Sequence, residues 1–361
     1  MNVYVLGAGI SKKLGYPLGR ELLPEVDKFI KEYPREFNHF DHSEWPIVLQ
    51  RLAENENILV REAFKFGHFE HLLTVLDHYD LLANDFILEN LKSRNADQSL
   101  SSVRKEFEEH QDHLRQISKD REILLYALTE FLEYRHQKDL GSFNSEFWTD
   151  LNTFSEKLQK GDVIVTFNYD SCVERVLLND GKWSPTNGYG FKIELIGEPL
   201  VDREIVVLHL HGATGWYEAP IFESGREISL DPSFLQNLGL DYFDTTMTEP
   251  NNEARIIIHP TYIKSYEVAR KGDQALIRLW RLAADALRAA SKIAIIGYSM
   301  PLADSAARTL LITNCEPERV EIVNTNLSTV QRLSEILVRK TVARPVTLSF
   351  QQWLGSFGTN T

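Results

Sequence analysis

Short apolar runs rich in β-branched residues recur at Val3–Leu6, Val163–Phe167, Ile205–Leu210, Ile256–Ile258, Ile293–Ile296, Val320–Val323 and Pro345–Phe350. A strand covered by helices on both faces reads as a continuous hydrophobic stretch, not an alternating one, so these runs predict a buried parallel sheet. One strand falls at the N-terminus and the others follow residue 160. In between, the apolar spacing changes to three or four. His71–Leu91 carries Leu72, Val75, Leu76, Tyr79, Leu82 and Phe86; residues 100–138 are rich in Glu, Lys, Arg and Gln, with Ile123, Leu124, Ala127, Leu128 and Phe131 as the stripe. That is helix periodicity. A further helix is expected over Asp273–Ala290, with Leu276, Leu279, Trp280, Ala283 and Leu287 on one side, and a short one over Cys172–Leu178. The pattern predicts an α/β protein whose sheet domain comprises residues 1–34 and 159–361, with 35–158 as a mostly helical insertion. No internal repeat or low-complexity segment interrupts it, and the tail Gly355–Thr361 is expected to fray.

A length of 361 residues fits about two domains of ~150, or one large domain with an insertion. The 39 basic and 52 acidic side chains leave a net charge of −13, which argues against a general electrostatic grip on nucleic acid or an anionic membrane. Arg278, Arg281 and Arg288 share one helical side, and a solvated, salt-bridging face accounts for them. Two cysteines, Cys172 and Cys315, are too few for a four-thiolate zinc site or a disulfide framework. The opening MNVYVLGAGIS carries no basic, cleavable leader, and no run of 18 apolar residues occurs. A soluble, cytoplasmic protein is expected.

Candidate chemistry sits where the expected strands end, which is where α/β sheets hold ligands. After VYVL comes Gly7-Ala8-Gly9-Ile10-Ser11. Two glycines let the backbone turn tightly and approach a pyrophosphate, although a plain tight turn also accounts for them. Lys12 replaces the third glycine of GxGxxG, and no acidic residue ends a second strand about 20 residues on, which disfavours a hydride-transferring dehydrogenase. The run from Val163 stops at Thr166 and leads to Asn168, an amide with donors and an acceptor, and Asp170, an acceptor pair suited to ribose hydroxyls or a water. A helix cap is the alternative for Asp170. His211, followed by Gly212, is a usable general base with open approach. His209, two residues earlier, shares a strand face with it. The two could hold a metal, but no third ligand stands at a recognisable spacing, and a structural role is the simpler account of His209. Gly297-Tyr298-Ser299, followed by Met300-Pro301 and Asp304, and Asn324 after Val320–Val323 complete the set.

The ordered series GAGIS, TFNYD, LHLHG, IIIHPTYIK, IIGYSMPLAD and VNTN resembles the bacterial sirtuin-like family, in the branch that lacks a zinc ribbon. The resemblance implies a Rossmann-like sheet that binds NAD, with nicotinamide and its ribose between sheet and helical lobe. Gly7, Ala8, Gly9 and Ser11 would form the phosphate loop, with Thr166 also on the NAD site. Asn168 would orient the water or the nicotinamide ribose, Asp170 would support that pocket, and His211 matches the catalytic histidine. Gly297 and Ser299 would line the phosphate and adenine ribose, and Asn324 would contact adenosine. Glu70 resembles an acidic position early in the helical lobe, without an assigned role. The loop Lys12–Arg20 keeps Pro17 but lacks the phenylalanine of acyl-lysine deacetylases.

In the zinc-free branch the usual activity is NAD hydrolysis to nicotinamide and ADP-ribose, commonly in antiviral defence by depletion of NAD. NAD is then substrate, and no metal is expected. Two alternatives stay open: a sirtuin-type deacylase or ADP-ribosyltransferase, and a non-catalytic sensor of NAD or ADP-ribose. By the same resemblance the chain is expected to be a homo-oligomer restrained by self-assembly or by a partner such as a HerA-like DNA-translocating ATPase, with the charged helical insertion as the packing surface.

Overall fold

A computed structural model describes residues 1–14, 16–17, 19–33, 43–55, 58–65, 69, 71–76, 100–140, 146–191, 204–218, 228–230, 235, 238, 255–257, 274–302, 304–338 and 347–356. In chain order these form β1 (Asn2–Leu6), α1 (Gly19–Glu32), α2 (Glu44–Ala53), α3 (Ile58–Lys65), α4 (Leu100–Leu140), α5 (Glu146–Lys157), β2 (Val163–Thr166) and α6 (Cys172–Asn179). There follow β3 (Val206–His209), β4 (Gly212–Glu218), β5 (Ile228–Leu230), β6 (Arg255–Ile257) and α7 (Gln274–Ala289). The chain continues through β7 (Lys292–Ile296), α8 (Ser305–Asn314), β8 (Val320–Val323), α9 (Leu327–Leu333) and α10 (Phe350–Ser356). Among the described residues no helix is long and apolar enough to cross a membrane.

Five strands form one parallel sheet in the order β3-β2-β1-β7-β8. The chain winds outward from β1 through β2 to β3, then returns to the other side of β1 for β7 and β8. That is the Rossmann-like α/β order, and its direction reverses between β1 and β7. The register brings the strand ends to one level: Leu6 pairs with Thr166 and with Ile296, Thr166 with His209, and Ile296 with Val323. The residues that follow these five therefore leave the sheet along one edge. β1 is buried from Val3 to Leu6 and β2 along its whole length, as their uninterrupted apolar composition requires.

The chain divides into two compact units, Met1–Leu18 with Leu132–Thr361, and Gly19–Phe131. These bounds differ from the 34/35 and 158/159 boundaries drawn from composition. The difference at the second boundary is α5, which packs on the sheet: Phe154 meets Tyr4 edge-on at 5.2 Å and Phe350 at 5.6 Å, and Trp353 closes the cluster. Burying such an aromatic side chain contributes roughly 1.5–3 kcal/mol, so α5 belongs with the strand it covers. The Gly19–Phe131 unit is helical in its described part. Phe29 packs on Phe131 at 5.5 Å, and the Arg51 guanidinium holds buried Asp120, which also accepts from Gln116 at 2.9 Å. Residues 71–76 are helical, and the remainder of the helix expected over His71–Leu91 lies outside the described residues.

Two expected strands of the parallel sheet are corrected. The described part of Ile256–Ile258, residues 256–257, falls in β6 of a separate antiparallel sheet, β5-β4-β6. The chain passes from His211 straight into β4, and only nine residues separate β4 from β5, too few for a parallel crossover. The described end of Pro345–Phe350 is not strand: Leu348 gives one backbone hydrogen bond to Asn324, and α10 starts at Phe350. Ser349 Oγ accepts from Gln352 N at 3.1 Å, and Gln352 Oε1 accepts from Ser349 N at 2.9 Å. This S-x-x-Q capping box ends the extended segment.

Candidate functional site

The loop after β1 and the loop after β7 are built against each other. Gly7 N donates to Ile296 O at 3.0 Å, and Gly9 N to Gly297 O at 2.9 Å. A Cβ on Gly7 would stand 2.5 Å from Tyr298 Cα, and one on Gly9 would stand 2.6 Å from the Gly297 carbonyl oxygen. Gly297 itself has φ +63°, where side chains are disfavoured. The glycine pattern is thus required by the approach of two backbones at the reversal point of the sheet. Ala8 and Gly9 are nevertheless exposed, so the outer side of this turn faces solvent.

Beneath the loop, three side chains from β1 and β2 meet. Ser11 Oγ donates to Asp170 Oδ2 at 2.7 Å, and Asn168 Nδ2 donates to Ser11 Oγ at 3.2 Å and to Gly7 O at 3.3 Å. Thr166 Oγ1 accepts from Asn168 N at 3.0 Å and so shapes the turn. Because the Gly7 carbonyl can only accept, the Asn168 amide nitrogen must point at it. That leaves Oδ1 on the other side, buried and without a hydrogen-bond partner among the described residues, on a residue only 7% exposed. Leaving such an acceptor unsatisfied costs about 1–3 kcal/mol, a cost that marks a position shaped for something other than stability. Both Asp170 oxygens are engaged within the protein: Oδ2 accepts from Ser11 Oγ, and Oδ1 accepts from Cys172 N at 3.3 Å at the start of α6.

The two histidines part company. His209 is wholly buried; Nδ1 lies 3.1 Å from Asn168 O, and Nε2 makes a short contact with the buried Glu174 carboxylate. Burial alone pushes its pKa down, but Glu174 and the hydrogen bonds outweigh that, and the net direction is up from the ordinary 6.5. Both ring nitrogens face acceptors, so His209 is a structural imidazolium with no lone pair for a metal. His211 is 3% exposed. Its Nε2 lies 3.2 Å from Asp304 Oδ2, and its ring stands 5.1 Å from Phe167 and 6.1 Å from Tyr169. Asp304, fully buried, also accepts from Tyr298 Oη at 3.0 Å and from Ala307 N at 3.3 Å, capping α8. Phe167 stacks on Tyr298 at 4.4 Å.

A raised histidine pKa stabilises the fold fully below its unfolded value, about 6.5, and the contribution is lost as pH rises through the folded value. The urea midpoint is therefore expected to fall on the alkaline side of pH 6.5, with part of that slope removed in Glu174→Gln. An unchanged slope in that variant would contradict the assignment.

The other expected residues spread along the same edge, not into the Asn168 cluster. Ser299 is exposed, and its carbonyl accepts from Arg332. Met300, next to it, has φ +49°, uncommon for a residue with a side chain. Asn324 Oδ1 accepts from Asn326 N at 2.9 Å and shapes the turn into α9, so its described side-chain bond is local. Glu70 and most of IIIHPTYIK lie outside the described residues. Sequence reasoning noted Asp304 without giving it a role and missed Glu174. The one available signal for Asp304 was its position just before a helix, which reads as a cap. Burial pushes the Cys315 thiol up to about 12, which makes it unreactive. Among the described residues no group of three or more His, Cys, Asp and Glu is placed to hold a metal ion. No family model and no curated protein sequence matches the chain.

Proposed function

We propose that this chain is an NAD hydrolase of the zinc-free sirtuin-like kind, releasing nicotinamide and ADP-ribose. The observation that carries the proposal is Asn168: a buried amide after β2, fixed by Ser11 and by Gly7 of the switch-point loop, with its carbonyl oxygen unpaired among the described residues. Cleavage of the C1′–N bond places positive charge on the ribose, and the bonding pair departs with nicotinamide. A preorganised carbonyl dipole and the nearby Asp170 carboxylate stabilise that charge without reorganising. Water attacks C1′, and His211 takes the proton it loses. The edge from β3 to β8 crosses four strand spacings, about 19 Å, room for the two halves of a dinucleotide. Ala8, Gly9, Gly297 and Ser299 would meet the phosphates between them, and Asn324 the adenosine end.

By the resemblance of its motifs, the chain acts in the cytoplasm as a defence effector that depletes NAD. It assembles with copies of itself and stays restrained until a partner, such as a HerA-like ATPase, or another trigger releases it. The test is to incubate the purified chain with NAD, follow nicotinamide and ADP-ribose, and determine its mass by light scattering. Equal yields of the two products, slow at first and faster with the trigger, are expected. Turnover only with an acylated peptide, or tight ADP-ribose binding with no turnover under any condition, would overturn the proposal.

A further inference from the structure

We propose that Asp304 is a positioning residue for His211, fixing its tautomer and steadying its protonated form; the catalytic consequence rests on the hydrolase proposal above, the pairing itself on geometry alone. Asp304 comes from the N-terminus of α8, far in sequence from His211 at the exit of β3. Three constraints hold its carboxylate in place: Oδ1 accepts from Ala307 N at 3.3 Å, Oδ2 accepts from Tyr298 Oη at 3.0 Å, and the residue is fully buried. His211 Nε2 stands 3.2 Å from that same Oδ2. A buried carboxylate so close requires the proton on Nε2, because two acceptors facing each other would repel. When water adds to C1′ and nicotinamide leaves with the bonding pair, the imidazolium formed finds its countercharge already in place. The Phe167–Tyr298 stack holds the Tyr298 hydroxyl on Asp304, and Phe167 also touches the imidazole. Among the described residues, Tyr169 from the β2 loop and Asp304 at the start of α8 face His211, with Tyr298 behind Asp304.

The test is Asp304→Asn, which keeps the size and the helix cap, with Asp304→Ser as a second capping variant that carries no charge. Two measurements are made on the full chain. The first is NMR titration of the His211 ring signal, assigned by its loss in His211→Gln; it requires no enzymatic activity. Its midpoint is expected to fall by about one pH unit or more in either variant, since an opposite charge at this distance favours the protonated form by that much. The second is the pH profile of nicotinamide release: kcat falls about 10–10²-fold, KM for NAD stays within twofold, and the acidic limb moves with the NMR midpoint. An unmoved His211 midpoint overturns the pairing, whether or not the chain turns NAD over. A shifted midpoint with unchanged kcat and unchanged acidic limb overturns the positioning role. A wild-type chain inactive in every condition defeats the hydrolase proposal alone, and the NMR titration still decides the role of Asp304.

Discussion

Replacing His211 with alanine lowers nicotinamide release by about 10²–10⁴-fold, the usual worth of a positioned general base, while the chain stays folded. The fold survives because Asp304 keeps its bonds to Tyr298 and to the first turn of α8. Asn168→Ala falls by about 10²–10³-fold, the cost of removing one preorganised dipole. It also frees Ser11 and the Gly7 carbonyl of a shared partner, so tighter NAD binding is not expected. His209→Ala behaves in the opposite way. It leaves the buried Glu174 side chain without its imidazole hydrogen-bond partner, which costs about 1–3 kcal/mol, so the protein melts early while each folded molecule keeps its rate. Rate and thermal melt measured together separate the three. Equal rates in His211→Ala and wild type would remove the base from the mechanism.

Substitution in the paired glycine loops is expected to have the second-largest effect. In Gly9→Ala the new methyl stands 2.6 Å from the Gly297 carbonyl oxygen, and in Gly297→Ala it stands 2.7 Å from Ile10 N at a φ of +63°. Both obstacles are backbone and cannot swing aside. Overpacking of this kind costs about 1–3 kcal/mol, and the left-handed backbone adds about 1–2 kcal/mol for Gly297→Ala. To relieve the clash the loops must separate, which moves the amides that would meet the pyrophosphate. Each variant is expected to melt several degrees lower and to bind NAD at least tenfold more weakly by calorimetry. Ala8→Ser, on the exposed side of the same turn, should do neither. A Gly9→Ala protein with wild-type affinity and melting would show that the close approach of the loops is not needed.

Much of this was legible along the chain because it depends on local pattern. Val3–Leu6, Val163–Phe167, Ile205–Leu210, Ile293–Ile296 and Val320–Val323 read as strands of one sheet from their β-branched apolar runs, and the structure pairs all five in parallel. The small and polar residues after them could only sit at strand ends. Ser11, Asn168 and Asp170 were found that way, and the structure brings them within hydrogen-bond distance of one another.

Pairing was not legible. The order β3-β2-β1-β7-β8, and with it the reversal point between β1 and β7, depends on which hydrophobic faces find each other at long range. The same holds for β6, whose two isoleucines suit either sheet, and for α5, whose amphipathic pattern does not say which core it covers. The sequence by itself determined the five strands of the parallel sheet, the helices α4, α6 and α7 and the chemical types along one edge, because periodicity and turn composition act over a few residues. Only the tertiary structure decided that His209 is held by Glu174 and is structural, that His211 faces Asp304, and that Asn168 keeps one oxygen unpaired. Those three facts arise from side chains 35, 93 and 161 positions apart, and burial in one low-dielectric site, not spacing, sets what each of them can do.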